Sequence, residues 1–166
     1  MVEKLAGPKE IRDADNLPTP TMNQAHFDKL TRMYLRANFN TTMYESTTCT
    51  ISHEQAEIGL TVSDKYFHAL GAIHGSVYFK LLDDAAFFAV NSIVEDAFVL
   101  TTSFNIHFTR PVNAGTIRAV GKVKFKSKRL FIAESTLYNE AGKEVAFGTG
   151  NFMKSNVELS EEIGYK

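Results

Sequence analysis

The residues of this chain that could do chemistry gather in "AIHGSVYFKLLDDAAFFAVNSIV", residues 72–94, an apolar run holding adjacent aspartates, Asp83 and Asp84. A carboxylate in apolar surroundings needs a partner or accepts a raised pKa, and such an acid can serve as a base or a nucleophile. On a helical wheel Asp84 shares its arc with Lys80, Asn91 and Glu95, and Lys80 lies four residues before it, the spacing of an ion pair. Asp84 is therefore expected on a solvated, lightly paired edge. Asp83 falls instead among Ser76, Phe79, Phe87 and Val90. From helix geometry it is either a functional acid or a carboxylate that accepts hydrogen bonds from a neighbouring loop or subunit.

The tripeptide His74-Gly75-Ser76 ahead of the aspartates bears on that choice. Small residues at a helix start let another group approach unpaired N–H donors at the positive end of the helix dipole. Donors so placed suit a carbonyl oxygen that gains negative charge under attack. The tripeptide alone is weak, since many such sequences only begin a helix. Followed by an otherwise unexplained aspartate, it points to acyl chemistry.

Several elements must position these groups. The apolar periodicity predicts a helix from about Ser76 to Val94, entered through the loop "SDKYFHALGAIHG". Short strands are expected around 46–52 and 55–62. In "FVLTTSFNIHF", strict alternation puts Phe98, Leu100, Thr102, Phe104, Ile106 and Phe108 on one face, with Val99, Thr101, Ser103, Asn105 and His107 on the other. Three further alternating segments, "TIRAVGKVKFKSK", "RLFIAESTLY" and "KEVAFGTGNFM", predict an antiparallel meander. A helix at about 21–38, capped by Thr21 or Asn23, precedes all of this. The expected organisation is a mobile lead-in at 1–20, one domain at 21–154 and a polar tail at 155–166 that frays. Strands segregated from helices make the class α+β: a long central helix wrapped by a curved antiparallel sheet of about five or six strands.

Composition excludes other classes. A net charge of -1 over 166 residues supplies no general attraction to nucleic acid or an anionic membrane. A lone cysteine, Cys49, rules out a disulfide framework and a cysteine-based metal site. The N-terminal residues lack the apolar core of a signal peptide, and Lys80, Asp83 and Asp84 interrupt the longest apolar run. A soluble, cytoplasmic protein is expected.

His74-Gly75-Ser76, then Leu81-Leu82-Asp83, then "FNIHFTRPVNAG" resembles the hotdog-fold acyl-CoA thioesterases, nearest to their PaaI-like branch. That family's pattern is H-G-G, an acidic residue nine positions after the His, and a strand ending in an N-x-x-F/Y-x-x-P-like element. Asp83 is nine residues after His74, and Asn105, Phe108 and Pro111 match the later element. The likeness spans roughly residues 45–154 and leaves the first helix outside. It implies a helix wrapped by an antiparallel sheet and a dimer or dimer of dimers acting on an acyl-CoA, without cofactor, metal, nucleic acid or membrane. By position the resemblance makes Asp83 the base or nucleophile and the Gly75 N–H the oxyanion donor. His68 stands at the family's polar position six before the His, and Thr101 at a hydroxyl that orients the attacking water. His74 supports the loop. Ser76 and Phe87 would meet the substrate, and Lys128 and Arg129 the CoA phosphates. Lys122 and Lys124 read better as a solvated strand face.

Three positions depart from the pattern: Ser76 replaces the second glycine, His68 an amide, and Phe87 a hydroxyl that some relatives carry one turn after the acid. Gly75 and Asp83 are eight residues apart, roughly 12 Å along a helix. If they act on one carbonyl, they come from different subunits of a two-fold pair. The competing readings are a hotdog module that binds acyl-CoA without hydrolysing it and, less fitting because its longer H-F-P-G-type loop is missing, a hotdog hydratase.

Overall fold

The computed structural model describes residues 23–166, so the lead-in expected at 1–20 lies outside the described residues. Helices α1 (Gln24–Arg36) and α2 (Asn38–Met43) come first. Strands β1 (Thr48–Ser52) and β2 (Gln55–Thr61) lead into α3 (Gly75–Asn91). Strands β3 (Val99–Phe108), β4 (Thr116–Lys126), β5 (Leu130–Tyr138) and β6 (Glu144–Lys154) follow. The six strands form one antiparallel sheet in the order β1-β2-β4-β5-β6-β3, with α3 against its inner face. The meander expected from the last strands holds for β4-β5-β6. β3 departs from it by pairing with β6 at the sheet edge.

α3 packs closely because its sheet-facing residues are small or aliphatic. Leu81, Leu82, Ala85, Ala86 and Ala89 are fully buried, and each buried leucine contributes about 1.5–3 kcal/mol of transfer free energy. Gly121 of β4 lets the helix backbone touch the sheet, since a Cβ there would overlap the Ala85 carbonyl. The Ser135 hydroxyl on β5 donates to the Leu82 carbonyl at 2.7 Å. Sheet and helix are thus joined by a polar contact as well as by apolar burial.

Strict alternation fails in β3, where the register with β6 shifts between Thr101 and Ser103. The bulge puts one extra residue in the strand and reverses its phase. Val99 and Thr101 face α3 before it, and Phe104 packs edge-on against Phe79 after it.

Two segments outside the helix-and-sheet unit pack onto it. α1 buries Phe27, Leu30, Met33 and Tyr34, and the Asn23 side chain accepts from the His26 N–H to cap its start. The tail, expected to fray, instead runs back across α1. Tyr165 Oη lies 2.7 Å from His26 Nδ1, His26 Nε2 lies 2.8 Å from the Asn91 carbonyl, and Arg32 donates to the Lys166 carbonyl at 2.7 Å. The Phe98 N–H donates to the Val157 carbonyl at 2.7 Å. Polar composition suggested a loose tail because these partners are remote in sequence. Among the described residues no helix is long and apolar enough to cross a membrane, and no group of three or more His, Cys, Asp or Glu could hold a metal.

Candidate active site

The sequence-predicted residues fall into two sets in one protomer. Asp83 and Thr101 form the first. α3 carries Asp83 into a groove of about 710 Å³ between α1, α3, the start of β3 and the tail. Thr101 Oγ1 donates to Asp83 Oδ1 at 3.0 Å. Burial pushes the Asp83 carboxyl up to about 6, with the Thr101 hydrogen bond opposing, the Asp84 charge adding and Lys80 subtracting. Phe87 lines the same groove and packs against Phe88 and Phe98.

His68 and Gly75 form the second set, in a separate cavity with Ile73, Tyr78, Phe108 and Arg110. His74 caps α3: its Nδ1 accepts from the Ser76 N–H at 3.1 Å and lies 2.9 Å from the Ser76 hydroxyl. The Gly75 N–H, at the first helical position, takes no acceptor among the described residues. His68 Nδ1 accepts from the Leu70 N–H at 3.1 Å, which fixes the ring and leaves Nε2 to carry the proton of the neutral form. Each set is locally ordered, but the acid and the N–H donor open into different cavities.

Lys128 and Arg129 sit exposed in the β4–β5 turn, and the structure does not bring them to either cavity. Lys128 instead lines a third cavity with His53, Asp96 and Lys154. Lys124 pairs across strands with Glu134 at 2.7 Å, as a solvated strand face would. Burial pushes the Cys49 thiol up to about 12, so it rests as an inert thiol.

Asp84 corrects the sequence reading. Its pairing with Lys80 is present, at 2.5 Å, but the pair is not on a solvated edge: Lys80 is 8% exposed and Asp84 21%. Tyr34 of α1 covers it, donating to Asp84 Oδ2 at 2.6 Å and accepting from Lys80 Nζ at 2.9 Å. Burial and the Asp84 charge push the Tyr34 hydroxyl far above its ordinary range, so it stays a donor. The Lys80 ammonium also lies about 5 Å from the ring centroids of Tyr34 and Tyr44. Sequence alone missed Tyr34 and the tail residues Val157 and Ile163 as groove walls, because no local pattern links them to α3.

Residues 70–146 match the model of the Thioesterase superfamily. Among solved structures, the Escherichia coli PaaI protein of the phenylacetic acid degradation operon superposes with a TM-score of 0.74 at 21% identity, over 82% of this chain and 98% of its own. A conserved Pseudomonas aeruginosa protein gives 0.67 at 22% identity, over 74% and 97%. A Bacillus halodurans protein solved with CoA gives 0.57 at 31% identity, over 58% of this chain and 65% of its own. Comparison with curated proteins returns no match. The fold is the hotdog fold, as the resemblance implied, and the residues that match the superfamily model include α3 and β3–β5.

Proposed function

We propose that this hotdog chain is a cytoplasmic acyl-CoA thioesterase that hydrolyses its substrate to free acid and CoA as a dimer or dimer of dimers. The observation that carries the reading is Asp83, a half-buried carboxylate of raised pKa at the wall of an apolar groove, held by Thr101. A purely structural acid gains nothing from being kept basic and reachable.

The catalytic unit is a two-fold pair. Roughly 12 Å of helix separates Gly75 from Asp83, so one thioester carbonyl cannot meet both in one protomer. In the pair, Gly75 and His68 of one copy face Asp83 and Thr101 of the other, giving two equivalent sites. The Gly75 N–H donates to the carbonyl oxygen as it becomes an oxyanion, and His68 Nε2–H is available to the same oxygen. Asp83 either adds to the carbonyl carbon or takes a proton from the water that does, with Thr101 orienting the acid. As base, Asp83 passes the water's proton to the thiolate as the C–S bond breaks and the free acid forms directly. As nucleophile, it forms a mixed anhydride as the C–S bond breaks and the thiolate leaves. Water then hydrolyses that anhydride to the free acid, restores the carboxylate and supplies the thiol's proton. His74 and Ser76 hold the loop that presents Gly75, and Phe87 packs beside the acyl group. CoA as the thiol carrier draws on the CoA-bound Bacillus halodurans relative. Lys128 and Arg129 would reach its phosphates only from a neighbouring subunit.

Free-thiol release from a panel of acyl-CoAs tests the proposal. Asp83→Asn is expected to lower kcat by about 10²–10⁴ with its circular dichroism unchanged. Equal release by variant and wild type would overturn the mechanism. No release from any acyl-CoA, together with thermal stabilisation by ligand, would favour the binding module.

A further inference from the structure

Seven of the fifteen residues that line the groove beside Asp83 belong to segments outside the family-matched residues. Met33, Tyr34 and Arg36 come from α1, and Val157, Ile163 and Gly164 from the tail, whereas the match covers only 70–146. Both segments are pinned in place. The Tyr34–Asp84–Lys80 cluster ties α1 to α3, and the His26–Tyr165 contact ties the tail to α1. The wall is therefore a fixed surface.

Its chemistry is one-sided. Leu100, Val157 and Ile163 remain 51%, 52% and 37% exposed, an expense a free surface avoids unless something apolar covers them. The acids on the lining are Asp83 and Asp84, and its one basic side chain, Arg36, is exposed at the end of α1. Lys80, which might otherwise meet an anion, is already taken by Asp84 and Tyr34. About 710 Å³ lies within the roughly 300–1,000 Å³ range of small-molecule sites and is far more than an acetyl group fills.

We propose that α1 and the C-terminal tail form the acyl-selecting wall of this site, which takes thioesters of uncharged, apolar acyl groups well beyond acetyl and excludes acyl groups ending in a carboxylate. The substrate class rests on the thioesterase reading above, and Val157 and Ile163 are its specificity-determining residues. The acyl chain lies along Leu100, Val157 and Ile163 with its carbonyl at Asp83. A carboxylate at the far end would leave water for the apolar wall of Leu100, Val157 and Ile163, in a groove whose acids are Asp83 and Asp84.

The test uses the full chain with acetyl-, butyryl-, octanoyl-, decanoyl- and glutaryl-CoA. In wild type, kcat/KM should rise by up to about fourfold per added methylene until the groove is full, the methylene increment of ~0.8 kcal/mol converted at 1.4 kcal/mol per decade. Glutaryl-CoA should be at least tenfold poorer than its apolar counterparts. Val157→Asp and Ile163→Asp change exposed side chains, so the fold should survive. They should cut octanoyl- and decanoyl-CoA turnover at least tenfold and acetyl-CoA turnover far less, so that the octanoyl-to-acetyl ratio of kcat/KM falls. Equal turnover of acetyl-, glutaryl- and octanoyl-CoA, or a chain-length series unmoved by both variants, would overturn the wall while leaving a thioesterase. If no thioester is cleaved, calorimetric binding of the same series to wild type decides separately. Affinity that grows with chain length and is lost in Val157→Asp supports the wall, and flat affinity overturns it.

Discussion

Asp83 sits between two opposed influences: burial disfavours its charge, while the Thr101 hydroxyl stabilises it. A folded-state value near 6, above the ordinary 3.8, means the native state binds the proton more tightly than the unfolded chain. Its effect on stability is nil below pH 3.8, where both states are protonated. The penalty accumulates as pH rises from 3.8 through about 6 and is complete above that. Asp83→Asn removes the penalty. The variant should be more stable than wild type by on the order of 1–3 kcal/mol at pH 7.5, and the gain should vanish toward pH 4. Urea unfolding at the two pH values measures it, and a gain independent of pH would contradict the buried-acid reading. The exceptional character of Asp83 was legible from its helical neighbours. The resemblance marked Thr101 as a hydroxyl that orients water; its bond to Asp83 came from the structure, because strand and helix are remote in sequence.

At the scale of elements, α1 is anchored through a polar cluster. Lys80 is nearly buried, and its charge is met by Asp84, the Tyr34 hydroxyl and the ring faces of Tyr34, Phe39 and Tyr44. Lys80→Met strands Asp84 without its cation, and breaking such a pair from one side is costlier than replacing both partners. A loss of about 2–4 kcal/mol is expected, discounted for the part of Asp84 that water reaches. Lys80→Met/Asp84→Leu should recover at least half of it. Thermal or urea unfolding of the two variants decides, and a double variant no better than the single would show that packing, not charge, fastens α1. The i,i+4 spacing disclosed the pair, but nothing local disclosed that a second helix would cover it.

At the scale of the whole molecule, the proposed pairing of subunits is what would join the two cavities into one site. Gly75 occupies the first position of α3, where proline is tolerated because no intrahelical bond is lost there, and His74 already has the extended backbone that precedes proline readily, at φ -67 and ψ 147. Gly75→Pro therefore deletes the N–H while keeping the helix start. The flexible Phe108 ring is the nearest neighbour that must yield. Gly75→Pro alone should lose about 10²–10³ in kcat. Equal mixtures of Gly75→Pro and Asp83→Asn, unfolded and refolded together, should regain about a quarter of wild-type activity, because half the dimers then carry one intact site of two. Activity of the mixture no greater than that of its parents would rule out a shared site.

The class of fold and the candidate centre were legible in local pattern: an apolar helix with one unexplained acid, a small-residue start, and alternating strands. Those features depend on spacings within a single element, which the chain itself carries. The β3 bulge, the covered Lys80–Asp84 pair, the docked tail and the groove that α1 and the tail close beside Asp83 depend on contacts between residues far apart in sequence. Such contacts form where packing and hydrogen bonding are satisfied in three dimensions, and no one-dimensional period records them.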